Sequence, residues 1–135
     1  SMNRRRFLET ASVATAVSAT AGVLTSCKDD AACTLKPGEI LHTVAFSLKH
    51  GKESDATNAF LSDGKKILTS IPVVRNFQVF RQTSPKCTFD FGFSMVFTNR
   101  TDFETYNNHP DHVSFVKERW ETEVSGFQET DYESL

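Results

Sequence analysis

Apolar and polar residues alternate with a period of two over residues 40–48. Ile40, His42, Val44, Phe46 and Leu48 share one side, and Leu41, Thr43, Ala45 and Ser47 the other. Successive strand side chains point to opposite faces, so this stretch predicts a strand with one strongly apolar side. His50-Gly51-Lys52 is a turn. The period then lengthens. Ala56, Ala59, Phe60, Ile67 and Leu68 recur at helical spacing and predict a helix over 54–70, with Ile71 at its exit. Ser54 or Asp55 can cap it, Ile71-Pro72 ends it, and Gly64 weakens it modestly.

A second strand is expected over 73–81, followed by a polar loop containing Pro85. Residues 88–98 show the clearest alternation. Phe89, Phe91, Phe93, Met95 and Phe97 lie on one face, with Asp90, Gly92 and Ser94 on the other. Thr101 and Glu104 match a capping box, which predicts a short helix through Tyr106. Pro110 suits the first position of a new helix. That helix should run to about Val124, burying Val113, Val116, Trp120 and Val124, and stop at Gly126. Phe127 to Glu133 is a last strand.

The order β-α-β-β-α-β predicts an α+β, ferredoxin-like fold: a four-stranded antiparallel sheet with both helices on one face. The other face, with Leu41, Ala45 and Val96, is moderately apolar and uncovered. A homodimer that pairs two sheets into a barrel is the expected solution.

The first 27 residues read as an address. Ser1 before Met2 resembles an expression scar. Arg4-Arg5-Arg6-Phe7-Leu8 resembles a twin-arginine export signal, and Ala11 to Leu24 is weakly apolar, too short and too polar to span a membrane. Leu24-Thr25-Ser26-Cys27 resembles a lipobox, which makes Cys27 the lipidation site. Lys28-Asp29-Asp30 resembles a surface-sorting signal of bacterial lipoproteins. The expected organisation is a signal over 1–27, a linker over 28–38 and one domain over 39–135. Contact with a membrane would then run through the lipid alone, in the cell envelope at the outer membrane, with the surface-exposed side as one option.

Residues 28–135 carry 12 Lys and Arg against 16 Asp and Glu, a net −4. No basic stripe is present, so nucleic acid is not an expected partner. Cys33 and Cys87 fit no CxxC motif, and a disulfide and two free thiols stay open as alternatives.

Candidate proton chemistry is confined to His42 and the run Tyr106-Asn107-Asn108-His109-Pro110-Asp111-His112. His42 lies on the apolar side of the first strand, and His112 shares a helix side with Val116. An imidazole can take a proton α to a carbonyl, and a phenol can hold the oxygen that becomes negative. Phe60, Phe91, Phe93 and His109 are the candidate pocket wall around a small apolar or aromatic ligand. A plainer reading stands beside this one: His109 caps the helix, the phenylalanines are core, and Tyr106 and His112 knit that core. His109 and His112 at i, i+3 lack a third ligand on their face, so neither a metal nor a cofactor is expected.

The chain resembles the stress-responsive dimeric α/β-barrel family, Dabb, over about residues 39–133. The resemblance rests on Ile40 to Phe46, Ile71-Pro72, the Phe89–Phe97 alternation, Tyr106 followed by His109-Pro110-Asp111-His112, and Asp131-Tyr132. It implies two ferredoxin-like protomers packed into a barrel. Members include stress proteins and a plant cyclase that does cofactor-free intramolecular aldol chemistry. In that cyclase a tyrosine and a histidine matching Tyr106 and His112 are catalytic, and a histidine matching His42 lines the pocket. A further pocket histidine of that enzyme is replaced here by Phe91.

Overall fold

The computed structural model describes residues 34–135. The export signal, Cys27 and Cys33 lie outside the described residues. Four strands and a set of helices follow in the order β1 (Ile40–Leu48), α1 (Asp55–Thr69), β2 (Arg75–Arg81), β3 (Phe91–Phe97), α2 (Arg100–Asn108) and α3 (Pro110–Phe115). A π-helical turn (Val116–Trp120), α4 (Glu121–Glu123) and β4 (Val124–Tyr132) complete the chain. The sheet is antiparallel with strand order β2-β3-β1-β4. This is the ferredoxin-like α+β arrangement, in which the helices between β1 and β2 and between β3 and β4 pack on one face.

That face holds the core. Ile40, Val44, Phe46 and Leu48 from β1 and Phe91, Phe93, Met95 and Phe97 from β3 are buried. They meet Phe60 and Leu68 of α1, Phe103 and Tyr106 of α2, and Phe115 of α3. Phe46 is the hub, with ring centroids 4.7 Å from Phe93, 5.0 Å from Trp120 and 5.8 Å from Phe60. Each fully buried aromatic ring contributes roughly 1.5–3 kcal/mol by leaving water.

Helix α1 starts where expected: the Ser54 hydroxyl accepts from the Thr57 amide. Its buried face is rotated from the expected one. Thr57, Phe60, Gly64 and Leu68 are buried, whereas Ala56 and Ala59 are exposed. The reason is Thr57, whose hydroxyl donates to the Gly51 carbonyl at 2.8 Å and so satisfies itself in the interior. Gly64 lets two rings approach the helix closely. A Cβ there would sit 3.1 Å from Phe93 Cζ and 3.3 Å from Phe115 Cζ.

Four further expectations are corrected. Strand β2 begins at Arg75 rather than residue 73, and its register shifts between Arg75 and Gln78, where Asn76 adopts φ 48°. Asparagine tolerates that left-handed conformation better than most residues, and a bulge of this kind is invisible to a period-two count. Strand β3 begins at Phe91, so Phe89 lies in the preceding loop, over Gly126. The cap of α2 is Asn99, whose side chain accepts from the Asp102 amide at 2.8 Å, and no Thr101–Glu104 box forms. Finally, the last helix ends at Glu123, and Gly126 lies inside β4.

The stripe of that last helix also differs. Phe115 is buried and Val113 is exposed. His112, Phe115 and Val116 stand at i, i+3 and i+4, so the inward stripe runs through them and leaves Val113 outside. The π-helical turn then inserts extra backbone. Trp120 reaches Phe46, while Val116 lines a cavity against the sheet. Arg119 holds this turn, reaching Asp63 on α1 at 2.7 Å and Glu123 at 2.5 Å, and Glu123 meets His50 at 2.9 Å.

Cross-strand partners share a face. Tyr132 therefore stands beside Leu41, and Phe80 beside Gly92, on the side away from the helices. Phe80 and Tyr132 are 44% and 54% exposed. The far face is thus more apolar than Leu41, Ala45 and Val96 alone suggested.

Candidate functional site

Between the sheet and the α2–α3 corner the helices leave a cavity of about 370 Å³. Its floor is His42, Val44, Phe93 and Met95 from β1 and β3. Leu68, Tyr106, His112, Phe115, Val116 and Trp120 form the wall, and Glu121, Phe127 and Glu129 complete the lining. An open groove alongside shares His112, Val116 and Glu121 and adds Lys117.

The sheet places His42. Its position on β1 points it at the helices, where it is 5% exposed and packs 5.1 Å from Phe103 and 6.1 Å from Tyr106, centroid to centroid. Asp131 is its register partner on β4, and His42 Nδ1 donates to Asp131 Oδ1 at 2.6 Å. Its Nε2 lies 3.9 Å from Glu129 Oε1.

The proline break places the other two groups. Helix α2 ends with Tyr106 buried in its last turns, and α3 restarts at Pro110 with His112 in its first turn. The rings of Tyr106 and His112 lie 4.2 Å apart. His112 Nδ1 donates to the Asn107 carbonyl at 3.1 Å, which leaves the lone pair on Nε2. Burial holds the His112 ring below the usual imidazole range, with the nearby His42 adding to the shift and the Asn107 carbonyl opposing it. The ring is therefore neutral and basic at Nε2 near neutral pH. The Tyr106 phenol is pushed well up, first by burial and then by the Glu129 carboxylate, so it remains a donor. Tyr106 is 3% exposed, and its hydroxyl has no hydrogen-bond partner among the described residues.

Of the residues singled out from sequence, His42, Tyr106, His112 and Phe93 share this cavity. Phe60 and Phe91 are core residues outside its lining. His109 caps α3, its Nδ1 accepting from the Asp111 amide at 3.1 Å, and it too is outside the lining. Sequence reasoning missed Asp131, Glu129 and Phe127. A signal existed: these three alternate along β4, on the side that pairs with His42, Val44 and Phe46. Trp120 stood on the expected buried stripe, whereas Phe115, the buried residue of α3, did not. Cys87 is half-buried and unpaired among the described residues. Among the described residues no three His, Cys, Asp or Glu side chains converge as a metal site.

The chain belongs to the stress responsive A/B barrel domain family, Dabb, which matches residues 40–134. A dabb family protein with a ferredoxin-like fold from Mesorhizobium loti is 50% identical, with a TM-score of 0.72 over 73% of this chain and 98% of that one. A dimeric protein of unknown function with a ferredoxin-like fold from Bacteroides fragilis is 23% identical, with a TM-score of 0.58 over 75% of this chain and 100% of that one. The hydroxynitrile lyase of Passiflora edulis shares the fold at 16% identity, with a TM-score of 0.63 over 72% of this chain and 94% of that one. No curated protein matches the chain.

Proposed function

We propose that the cavity binds a small apolar or aromatic carbonyl compound and performs cofactor-free acid/base chemistry on it, of the cyclase or lyase kind. The observation that carries this reading is the Tyr106 hydroxyl, unpartnered and open to the cavity on an otherwise buried side chain, beside the neutral His112 ring. A hydroxyl needed only for stability would find an acceptor in the protein. The substrate oxygen accepts from the Tyr106 hydroxyl. His112 Nε2 removes a proton from the adjacent carbon, and the electron pair moves onto the oxygen as an enolate. The enolate then attacks a second carbonyl or expels a leaving group, and the imidazolium returns its proton. His42, oriented by Asp131, supplies a second polar contact on the floor. A lyase with this fold supports the class of chemistry, not the substrate.

Exchange of α-protons for deuterium in a panel of aryl ketones tests the reading. The protein should accelerate exchange, and His112→Ala and Tyr106→Phe should each abolish that acceleration. Binding without exchange would leave a non-catalytic ligand-binding module, the second reading, which the largely apolar cavity supports equally.

The same reading makes the protein a homodimer through the far face of its sheet, on the strength of exposed Phe80 and Tyr132 and of a dimeric relative of the same fold. It also places the protein in the cell envelope, held by a lipid on Cys27, on the strength of the arginine pair, apolar run and lipobox in that order. Light scattering of the domain and palmitate labelling of wild type against Cys27→Ala decide these two points.

A further inference from the structure

The charge of the cavity lining is one-sided. Two carboxylates, Glu121 and Glu129, belong to it, and no Lys or Arg does among the described residues. The nearest cation by lining, Lys117, belongs to the open groove alongside. Arg119, the other cation of that helical stretch, is committed to Asp63 and Glu123. His112 is kept neutral by its burial. His42 is tied to a carboxylate of its own, Asp131.

Glu129 is the decisive group. It is 60% exposed, yet its Oε1 reaches within 3.9 Å of His42 Nε2 on the cavity floor. The Tyr106 hydroxyl, open to the cavity and without a partner, lies within its field. Much of the rest of the lining is aromatic: Phe93, Tyr106, Phe115, Trp120 and Phe127 present five rings to one space, with Val44, Leu68, Met95 and Val116 between them. Trp120 and Phe127 meet edge to face at 5.5 Å. Aromatic faces beside carboxylates attract ammonium groups and offer nothing to an anion.

We infer that the cavity takes an apolar molecule carrying an ammonium group and rejects the matching carboxylate, with Glu129 setting the preference. The inference rests on the cavity being a ligand site, as in the functional reading above, and adds the charge class of that ligand. The cavity volume lies at the small end of ligand pockets, which span about 300–1,000 Å³, so the body is one aromatic ring with a short chain.

The test uses three probes with one body: 4-phenylbutylamine, 4-phenylbutanol and 4-phenylbutanoate. Binding to the full chain is measured by ligand-observed NMR at pH 7.5 and low salt, for wild type and Glu129→Gln. The amine should bind about tenfold more tightly than the acid, with the alcohol between. Glu129→Gln should narrow that ratio about threefold or more, and so should 0.5 M salt, because the group is solvent-screened. An acid that binds as tightly as the amine overturns the inference, as does a ratio unchanged in Glu129→Gln. In either case α-proton exchange by wild type would leave the functional reading standing. If none of the three probes binds and no exchange occurs, both fall together.

Discussion

Tyr106→Phe separates a catalytic phenol from a structural one. The substitution deletes a single oxygen and leaves the ring, whose neighbours are Phe97 at 5.0 Å, His112 at 4.2 Å and His42 at 6.1 Å. All of that packing survives. A buried hydroxyl that donates within the protein contributes about 0.5–1.5 kcal/mol, and its loss also strands the former acceptor. Here no protein acceptor exists among the described residues, so both costs vanish. The expected change in unfolding free energy is within about 0.5 kcal/mol, in either direction. For a domain of this size 1 kcal/mol moves Tm by roughly 4–8 °C, so the variant should melt within about 3 °C of wild type. The assay is urea unfolding followed by Trp120 fluorescence, paired with α-proton exchange. Lost exchange at unchanged stability is the expected result. A stability loss above about 1.5 kcal/mol would refute the reasoning, because the hydroxyl must then have a protein partner.

Other outcomes follow from the same geometry. Asp131→Asn replaces a charge-assisted hydrogen bond to His42 with a neutral one, and should cost about 1 kcal/mol in urea unfolding while lowering exchange activity; unchanged values would show that the bond orients nothing. The pH dependence has a definite sign. His112 binds its proton less readily folded than unfolded, so the unfolded state holds more protons below the ordinary value of 6.5. Stability is therefore full above that value and falls as pH drops toward the lowered folded-state pKa. The difference in urea midpoint between wild type and His112→Gln should shift over that acidic window and stay flat above it. Gly64→Ala sets a helix gain of about 1 kcal/mol against a Cβ 3.1 Å from Phe93. Both rings it presses on, Phe93 and Phe115, line the cavity and can yield into it. Stability should change by less than about 1 kcal/mol while probe binding weakens severalfold; intact binding would show that the rings do not move.

The strands β1 and β3, the span of α1 and the break at Pro110 were legible because each is written in local periodicity or in one residue's backbone chemistry. Alternation over Ile40–Leu48 needs no distant partner to be read. The misread positions have a common cause. Asn76, Thr57 and the π-helical turn at Val116–Trp120 depart from ideal period for reasons that lie elsewhere in the molecule: a strand register, the Gly51 carbonyl, and Arg119 reaching to Asp63. Phe60 and Phe91 carry the same apolar signature as Phe93, and only the packing of α1 decides which ring faces a void and which faces another ring.

The candidate site divides the same way. By itself the sequence determined that His42 lies on the buried side of a strand, and that Tyr106 and His112 flank one helix break, because strand alternation and a proline act within a few residues. Only the tertiary structure decided that they converge on one cavity. Asp131 and Glu129 join His42 through the β1–β4 register, across nearly ninety residues of chain. The neutrality of His112 and the persistence of the Tyr106 proton come from desolvation, which no residue can have before the fold closes over it.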